Sequence, residues 1–190
     1  MATTQEALRT TLGTEPITAE QLMEMDERGE LIRGVFCPTM IPGIQHGQVM
    51  ANITMLLGLV MSPNKLGTIV TANAGVLLGR NPDTVLGPDI SYFSRERLPL
   101  ETEIRGYAEV PPELVVEVVS PSDTPREVAG KANMWLVGGV QLVWVVWPET
   151  KMVEIYRPDN QPETLREADT LTGGEVLPHF TVTVADIFEN

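Results

Sequence analysis

The run Glu113-Leu-Val-Val-Glu-Val-Val119 constrains this chain more than any other segment. A nearly continuous apolar stretch of that length is the pattern of a central strand covered on both faces, and Val140-Gln-Leu-Val-Trp-Val-Val-Trp147 repeats it. Between the two, Pro125 to about Val137 reads as a helix, with proline near the first turn, where its missing amide donor does no harm. Pro148-Glu-Thr-Lys151 is then a turn into Met152-Val-Glu-Ile-Tyr-Arg157, an antiparallel partner for the preceding strand. Inside the first run stands Glu117, and an ionised carboxylate in an apolar strand is costly unless it is paired or coordinated. Strand alternation puts Glu113, Val115, Glu117 and Val119 on one face and Leu114, Val116 and Val118 on the other. On this pattern alone, an edge strand with Glu117 in solvent and a buried carboxylate with a partner stand level.

The remaining segments surround this unit with mixed structure. Residues 1–16 form a polar lead-in expected to be flexible, and one domain is expected over residues 17–190. Thr18-Ala-Glu-Gln21 is a capping box that opens a helix to about Arg28, and Glu30 to Cys37 reads as one strand. From His46 to Ser62, Val49, Met50, Ile53, Leu56, Leu57 and Val60 recur at helical spacing, so that helix buries one face. Short β-branched stretches between Gly67 and Ser94, broken by turn residues, predict a meander of strands. Residues 95–112 are charged and irregular, and predict a surface loop with a turn of helix. The tail carries strand-like pieces, a Gly173-Gly174 turn and a terminal apolar turn from Val184 to Phe188. This order predicts an α/β (α+β mixed) fold, a mixed sheet flanked by helices.

Composition limits the functions such a fold can carry. The 43% apolar and 21% charged content belongs to a globular protein, not a disordered one. No stretch approaches the roughly 18 apolar residues of a membrane span, and the first dozen residues hold no apolar leader, so a cytoplasmic, membrane-free protein is expected. Cys37 is the only cysteine, which excludes an intrachain disulfide and a thiolate zinc site. Asn52-Ile-Thr54 fits a glycosylation sequon, but it falls in the helical segment. Thirteen basic against 26 acidic residues give a net charge of −13, which opposes non-specific binding to a polyanion. Any nucleic-acid contact would rest on a few arginines, Arg95, Arg97, Arg105 and Arg126, of which the first three leave the Asp89 strand and the fourth starts the Lys131 helix.

Three residues acquire meaning together. Asp89 follows Gly87-Pro88 at a strand start, where an aspartate is ordinarily turn chemistry, and Lys131 alone would be a solvated helix lysine whose removal leaves the fold intact. With Glu117, however, they meet a chemical requirement: phosphodiester hydrolysis calls for carboxylates that hold Mg²⁺ or Mn²⁺ and a cation that stabilises the charged transition state. Asp89 and Glu117 would be the metal ligands. Glu30 is a candidate outer ligand, and His46 either orients water, contacts phosphate or caps its helix.

Glu30-Leu-Ile-Arg-Gly34, His46 before an apolar helix, Pro88-Asp89, Glu117-Val-Val-Ser-Pro-Ser122 and Lys131 together resemble the PD-(D/E)xK nuclease superfamily, and within it the Uma-two family of small restriction-endonuclease-like proteins. The similarity runs from about Ile17 to Arg157. It implies a restriction-endonuclease-like mixed sheet flanked by helices, a metal-dependent endonuclease acting on DNA, and Asp89, Glu117 and Lys131 as its catalytic set. It also implies that the lysine has moved from the strand, where Val119 now stands, to the following helix. Glu127 matches a usually acidic position and would hold the Lys131 ammonium as an (i, i+4) pair. Trp135 stands where the family usually has tyrosine, and Val143-Trp144 and Trp147 replace a Tyr-Trp pair and a later aspartate; these read as structural or supporting positions.

The leading expectation is a DNA endonuclease working as a homodimer with two sites. The alternative is a catalytically inactive member of the fold that binds a protein partner, which the net charge favours. A serine hydrolase and a dinucleotide-binding enzyme fare worse, because neither Gly-x-Ser-x-Gly nor Gly-x-Gly-x-x-Gly is present.

Overall fold

The computed structural model describes residues 15–189, and most of the polar lead-in expected over residues 1–16 lies outside them. In chain order the elements are α1 (Ala19–Glu24), β1 (Gly29–Ile32), β2 (Val35–Pro38), α2 (Ile44–Asn64), β3 (Gly67–Thr71), β4 (Val76–Gly79), β5 (Thr84–Leu86) and β6 (Ile90–Ser94). There follow β7 (Leu114–Val118), α3 (Pro125–Val137), β8 (Leu142–Trp147), β9 (Met152–Tyr156), β10 (Glu163–Leu165), β11 (Thr170–Gly173), β12 (Leu177–Thr183) and α4 (Val184–Phe188).

The central sheet has six strands in the order β10-β9-β8-β7-β6-β3. Its middle is the unit read from the two apolar runs: β7 and β8 pair in parallel, from Leu114↔Leu142 to Val118↔Val146. A parallel pair needs a crossover, and α3 supplies it. All five residues of β7 are buried, which excludes the edge-strand reading of Glu117. On one face, Leu114, Val116 and Val118 pack with Trp144 against Val49, Ile53 and Leu57 of α2 and against Phe180, Val184 and Ile187 of the tail. On the other, Val115 and Val119 pack with Ala132 and Trp135 of α3. A second sheet, β2-β1-β5-β4, carries α1 through a smaller cluster of Leu22, Leu31, Phe36 and Val85. The mixed α+β architecture expected from the sequence is therefore the one observed.

Local differences from the sequence reading have clear causes. Residues 30–37 form two strands and not one, because Arg33 and Gly34 both adopt positive φ (50° and 77°) and make a two-residue hairpin turn. The Thr18/Gln21 capping box is present, but α1 stops at Glu24, where the Met25 backbone turns extended. Helix α2 opens at Ile44, which puts His46 inside its first turn. The 95–112 segment has turns but no helix, and Ala108 bridges to Val76. Among the described residues no helix is long and apolar enough to cross a membrane.

Candidate functional site

Strand β6 runs antiparallel to β7 with Ile90 opposite Val116. Carried one residue further, that register brings Asp89 level with Glu117. Both line one cleft of about 290 Å³, together with Glu30, His46, Lys131 and the Ser120–Asp123 turn.

Glu117 points to the α3 side of β7. Its Oε2 lies 3.0 Å from Lys131 Nζ, and its Oε1 accepts a 2.7 Å hydrogen bond from Trp135 Nε1. Lys131 and Trp135 are four apart on α3 and so present one face to the carboxylate. Lys131 Nζ is also 3.0 Å from Glu30 Oε1, which accepts from the Gly87 amide at 2.9 Å. One ammonium thus bridges two carboxylates carried by two different sheets. Asp89 Oδ2 accepts from the Val118 amide at 2.7 Å and meets His46 Nε2 at 3.2 Å. His46 Nδ1 is buried with no hydrogen-bond partner among the described residues.

The electrostatics follow from this crowding. Burial pushes the Glu117 carboxyl up to about 7; the Lys131 charge and the Trp135 hydrogen bond oppose that rise, and the charges of Asp89 and Glu30 add to it. Lys131 loses solvation by burial, yet Glu117 and Glu30 outweigh that loss and hold its ammonium above the ordinary lysine value. Burial likewise works against a charged His46, but the hydrogen bond and charge of Asp89 prevail and raise it. The pocket therefore holds an excess of negative charge that neither cation fully offsets.

The five residues Glu30, His46, Asp89, Glu117 and Lys131 share this cleft. His46 contacts Asp89 and not the helix-end amides, so the capping role considered for it does not apply. Glu127 departs from expectation: its Oε2 accepts from Thr124 N at 3.1 Å and Thr124 Oγ1 at 2.7 Å in a capping box, and it does not hold Lys131. The reason is local, since a third-position acid satisfies an orphan amide at the helix start, while the ammonium is drawn to two buried carboxylates.

None of the four arginines lines the cleft. Arg97 donates to the carbonyls of Pro111 (2.8 Å) and Gly139 (3.2 Å) and pairs with Glu113 at 3.1 Å. Arg95 is exposed just beyond Ser94, at the opposite end of β6 from Asp89 and roughly 20 Å away at the usual strand rise. Arg105 is exposed and pairs with Glu103 at 3.2 Å. Arg126 is exposed in the first turn of α3 and is the only one of the four on an element that lines the cleft. The Glu113 clamp explains the first two: the loop leaving β6 is fastened to the start of β7, whereas Glu117 lies at its other end.

Sequence reasoning gave Trp135 no contact with Glu117. Its signal was the spacing, one helical turn after Lys131.

The donor set, carboxylate oxygens of Asp89 and Glu117 with Glu30 beside them, is of the hard type that suits Mg²⁺ or Mn²⁺. Burial is the main cause that raises Glu117, with the charges of Asp89 and Glu30 adding to it, and a divalent cation would offset both by favouring the ionised carboxylate. Among the described residues no three His, Cys, Asp or Glu side chains form a ready-made metal-holding group; the carboxylates are engaged by Lys131, His46, Trp135 and backbone amides.

The Uma2 family model, described as "Putative restriction endonuclease", matches residues 18–185. The fold is similar to the crystal structure of a "putative nuclease belonging to DUF820" from Anabaena variabilis ATCC 29413. That similarity has a TM-score of 0.80 at 22% identity and covers 91% of this chain and 98% of that one. No curated protein matches the chain.

Proposed function

The chain belongs to the Uma2 family of restriction-endonuclease-like proteins, and from that premise we propose that it is a metal-dependent endonuclease that hydrolyses DNA phosphodiester bonds. The observation that carries this reading is Lys131 held 3.0 Å from both Glu117 and Glu30 in the cleft that also contains Asp89. Asp89 and Glu117 would hold Mg²⁺ or Mn²⁺. When bound, the ion supplies Lewis-acid stabilisation of phosphoryl charge and a more acidic water.

The chain's own residues do the rest. Lys131 keeps a permanent charge in the cleft because two carboxylates favour its protonated form, and with 27% of its side chain exposed it is accessible to a phosphate oxygen. Glu30 aims it from the second sheet. His46 and the Val118 amide fix Asp89 Oδ2. Arg126, beside the amide-rich start of α3, is the candidate phosphate contact that remains near the site.

Homodimerisation fits one further surface. Over 21 residues α2 carries no Asp, Glu, Lys or Arg, and it exposes Ile44 (85%), Met55 (61%) and Leu59 (74%). In a chain of net charge −13, that is a face on which two copies can meet without like-charge repulsion.

The deciding experiment incubates plasmid and end-labelled duplex DNA with the protein in Mg²⁺, Mn²⁺ or chelator. Cleavage that requires metal and disappears in Asp89→Asn is expected. No cleavage with either ion would favour the second reading, an inactive interaction module. The remoteness of Arg95 and Arg97 from the cleft favours that reading, as does the internal pairing of the site's charges.

A further inference from the structure

We propose that Trp135 is a positioning residue for Glu117: its indole N–H holds Oε1 toward the protein interior and so turns Oε2 into the cleft. This rests on the nuclease reading above and adds to it a group that never touches substrate or metal.

The two carboxylate oxygens of Glu117 face different surroundings. Oε1 is bonded at 2.7 Å to Trp135, which is wholly inaccessible to solvent and does not line the cleft. Oε2 meets Lys131, which does line it and keeps part of its side chain in solvent. The terminal torsion of a glutamate is broad and has no strong preference of its own, so without a donor on one oxygen the carboxylate can turn and exchange the two. A fixed N–H on one side and an ammonium on the other remove that freedom. Both come from one helix at (i, i+4) spacing, so their separation is set by the rigid turn of α3 and not by a loop.

The indole is itself rigidly seated. Trp135 packs in the cluster of Val115, Ala132, Val143 and Val145, directly beneath β7. A role confined to filling that space would not need the N–H to meet Glu117. The buried indole nitrogens of Trp144 and Trp147 have no hydrogen-bond partner among the described residues, so this chain does not pair every buried indole as a matter of course. Trp135 differs in having its donor directed at a candidate metal ligand. Supporting hydrogen bonds to ligating groups typically govern affinity or rate by about 10- to 100-fold, which sets the expected size.

The test uses the full chain with three replacements at position 135. Trp135→Phe removes the donor and some volume, and Trp135→Tyr restores a donor. The benzothiophene analogue of tryptophan puts sulfur in place of N–H at nearly constant volume, and reports even if the Phe variant does not fold. Mn²⁺ binding to metal-free protein is measured by calorimetry, and steady-state cleavage is measured beside it. We expect Mn²⁺ affinity to fall about tenfold or more in the Phe and benzothiophene forms, kcat to fall with KM for DNA unchanged, and Tyr to recover most of both. Unchanged Mn²⁺ affinity and kcat in the benzothiophene form would overturn the positioning role while leaving the nuclease reading intact. Equal losses in Tyr and Phe would overturn it in favour of packing. If the parent neither binds Mn²⁺ nor cuts DNA, the nuclease reading fails and takes this inference with it.

Discussion

His46, in the first turn of α2, places its Nε2 3.2 Å from Oδ2 of Asp89, tying the helix that covers one face of the central sheet to the strand that enters the cleft. Because Asp89 raises the His46 value above that of a free histidine, the pair stabilises the fold fully below the unfolded histidine value and loses that contribution as pH rises through the folded one. Glu117 acts in the same direction: held up to about 7 against 4.5 unfolded, it favours the fold while protonated, and that advantage is lost between those values. Metal-free protein should therefore melt at a lower temperature at pH 8 than at pH 5.5, and saturating Mg²⁺ should recover part of the loss. Thermal melts across that range check it, and His46→Gln should flatten the curve above pH 6.

Lys131→Met should abolish cleavage with little effect on Mn²⁺ affinity, since the ammonium neutralises charge and does not ligate the ion. The expectation that removing this lysine leaves the fold intact changes with the structure. Lys131 lies between Glu30 and Glu117, each with only 12% of its side chain exposed, and loss of one partner from such a buried group costs on the order of 3 kcal/mol. A urea melt near pH 7.5 without metal should show that loss, and it should shrink at pH 5, where Glu117 is protonated. A variant that cuts DNA at the parental rate would remove Lys131 from the mechanism.

Glu127→Ala should lower stability slightly through the lost half of the α3 capping box and leave kcat within about twofold, because Thr124 and not Lys131 holds its carboxylate. Stability and cleavage measured on one preparation separate the two effects. A tenfold fall in kcat at unchanged stability would restore Glu127 to the site.

Arg97→Ala and Arg126→Ala should behave oppositely. Arg97 is spent on the Pro111 and Gly139 carbonyls and on Glu113, so its removal should destabilise by roughly 1–3 kcal/mol without changing how DNA binding depends on salt. Arg126→Ala should leave stability unchanged and reduce the salt slope by about one counterion. DNA binding titrated against salt with Mg²⁺ or Ca²⁺ present reads both.

Leu59→Lys on the exposed, uncharged face of α2 should convert a dimer to a monomer that is still folded, because Leu59 is 74% exposed in the single chain. Sedimentation velocity of parent and variant at equal concentration decides it; a monomeric parent would end the dimer expectation.

The sequence by itself determined the centre of this fold. Two nearly continuous apolar runs joined by a helix with proline in its first turn mark out β7, α3 and β8, while the burial of Glu117 and the parallel pairing of the two strands were decided by the tertiary fold. The capping box at Thr18 was legible because its partner lies three residues away, whereas Glu127, at the same spacing from Thr124, was expected to hold Lys131 and caps α3 instead. The residues gathered in the cleft were legible through chemistry, since Glu117 in an apolar strand needs a compensating partner. What the sequence could not fix was who pairs with whom. Glu127 and Glu30 were both available to Lys131, one a single turn away and the other on another sheet. The distant one holds it, because charge attraction is strong where solvent is excluded and weak at an exposed helix end. For the same reason the arginines close to Asp89 in sequence are remote from it in space: a strand carries its two ends apart at about 3.3 Å per residue, and Glu113 fastens Arg97 to the far end. Local spacing sets helices, caps and faces, whereas the partner of a buried charge is chosen by whichever elements the tertiary fold brings to it.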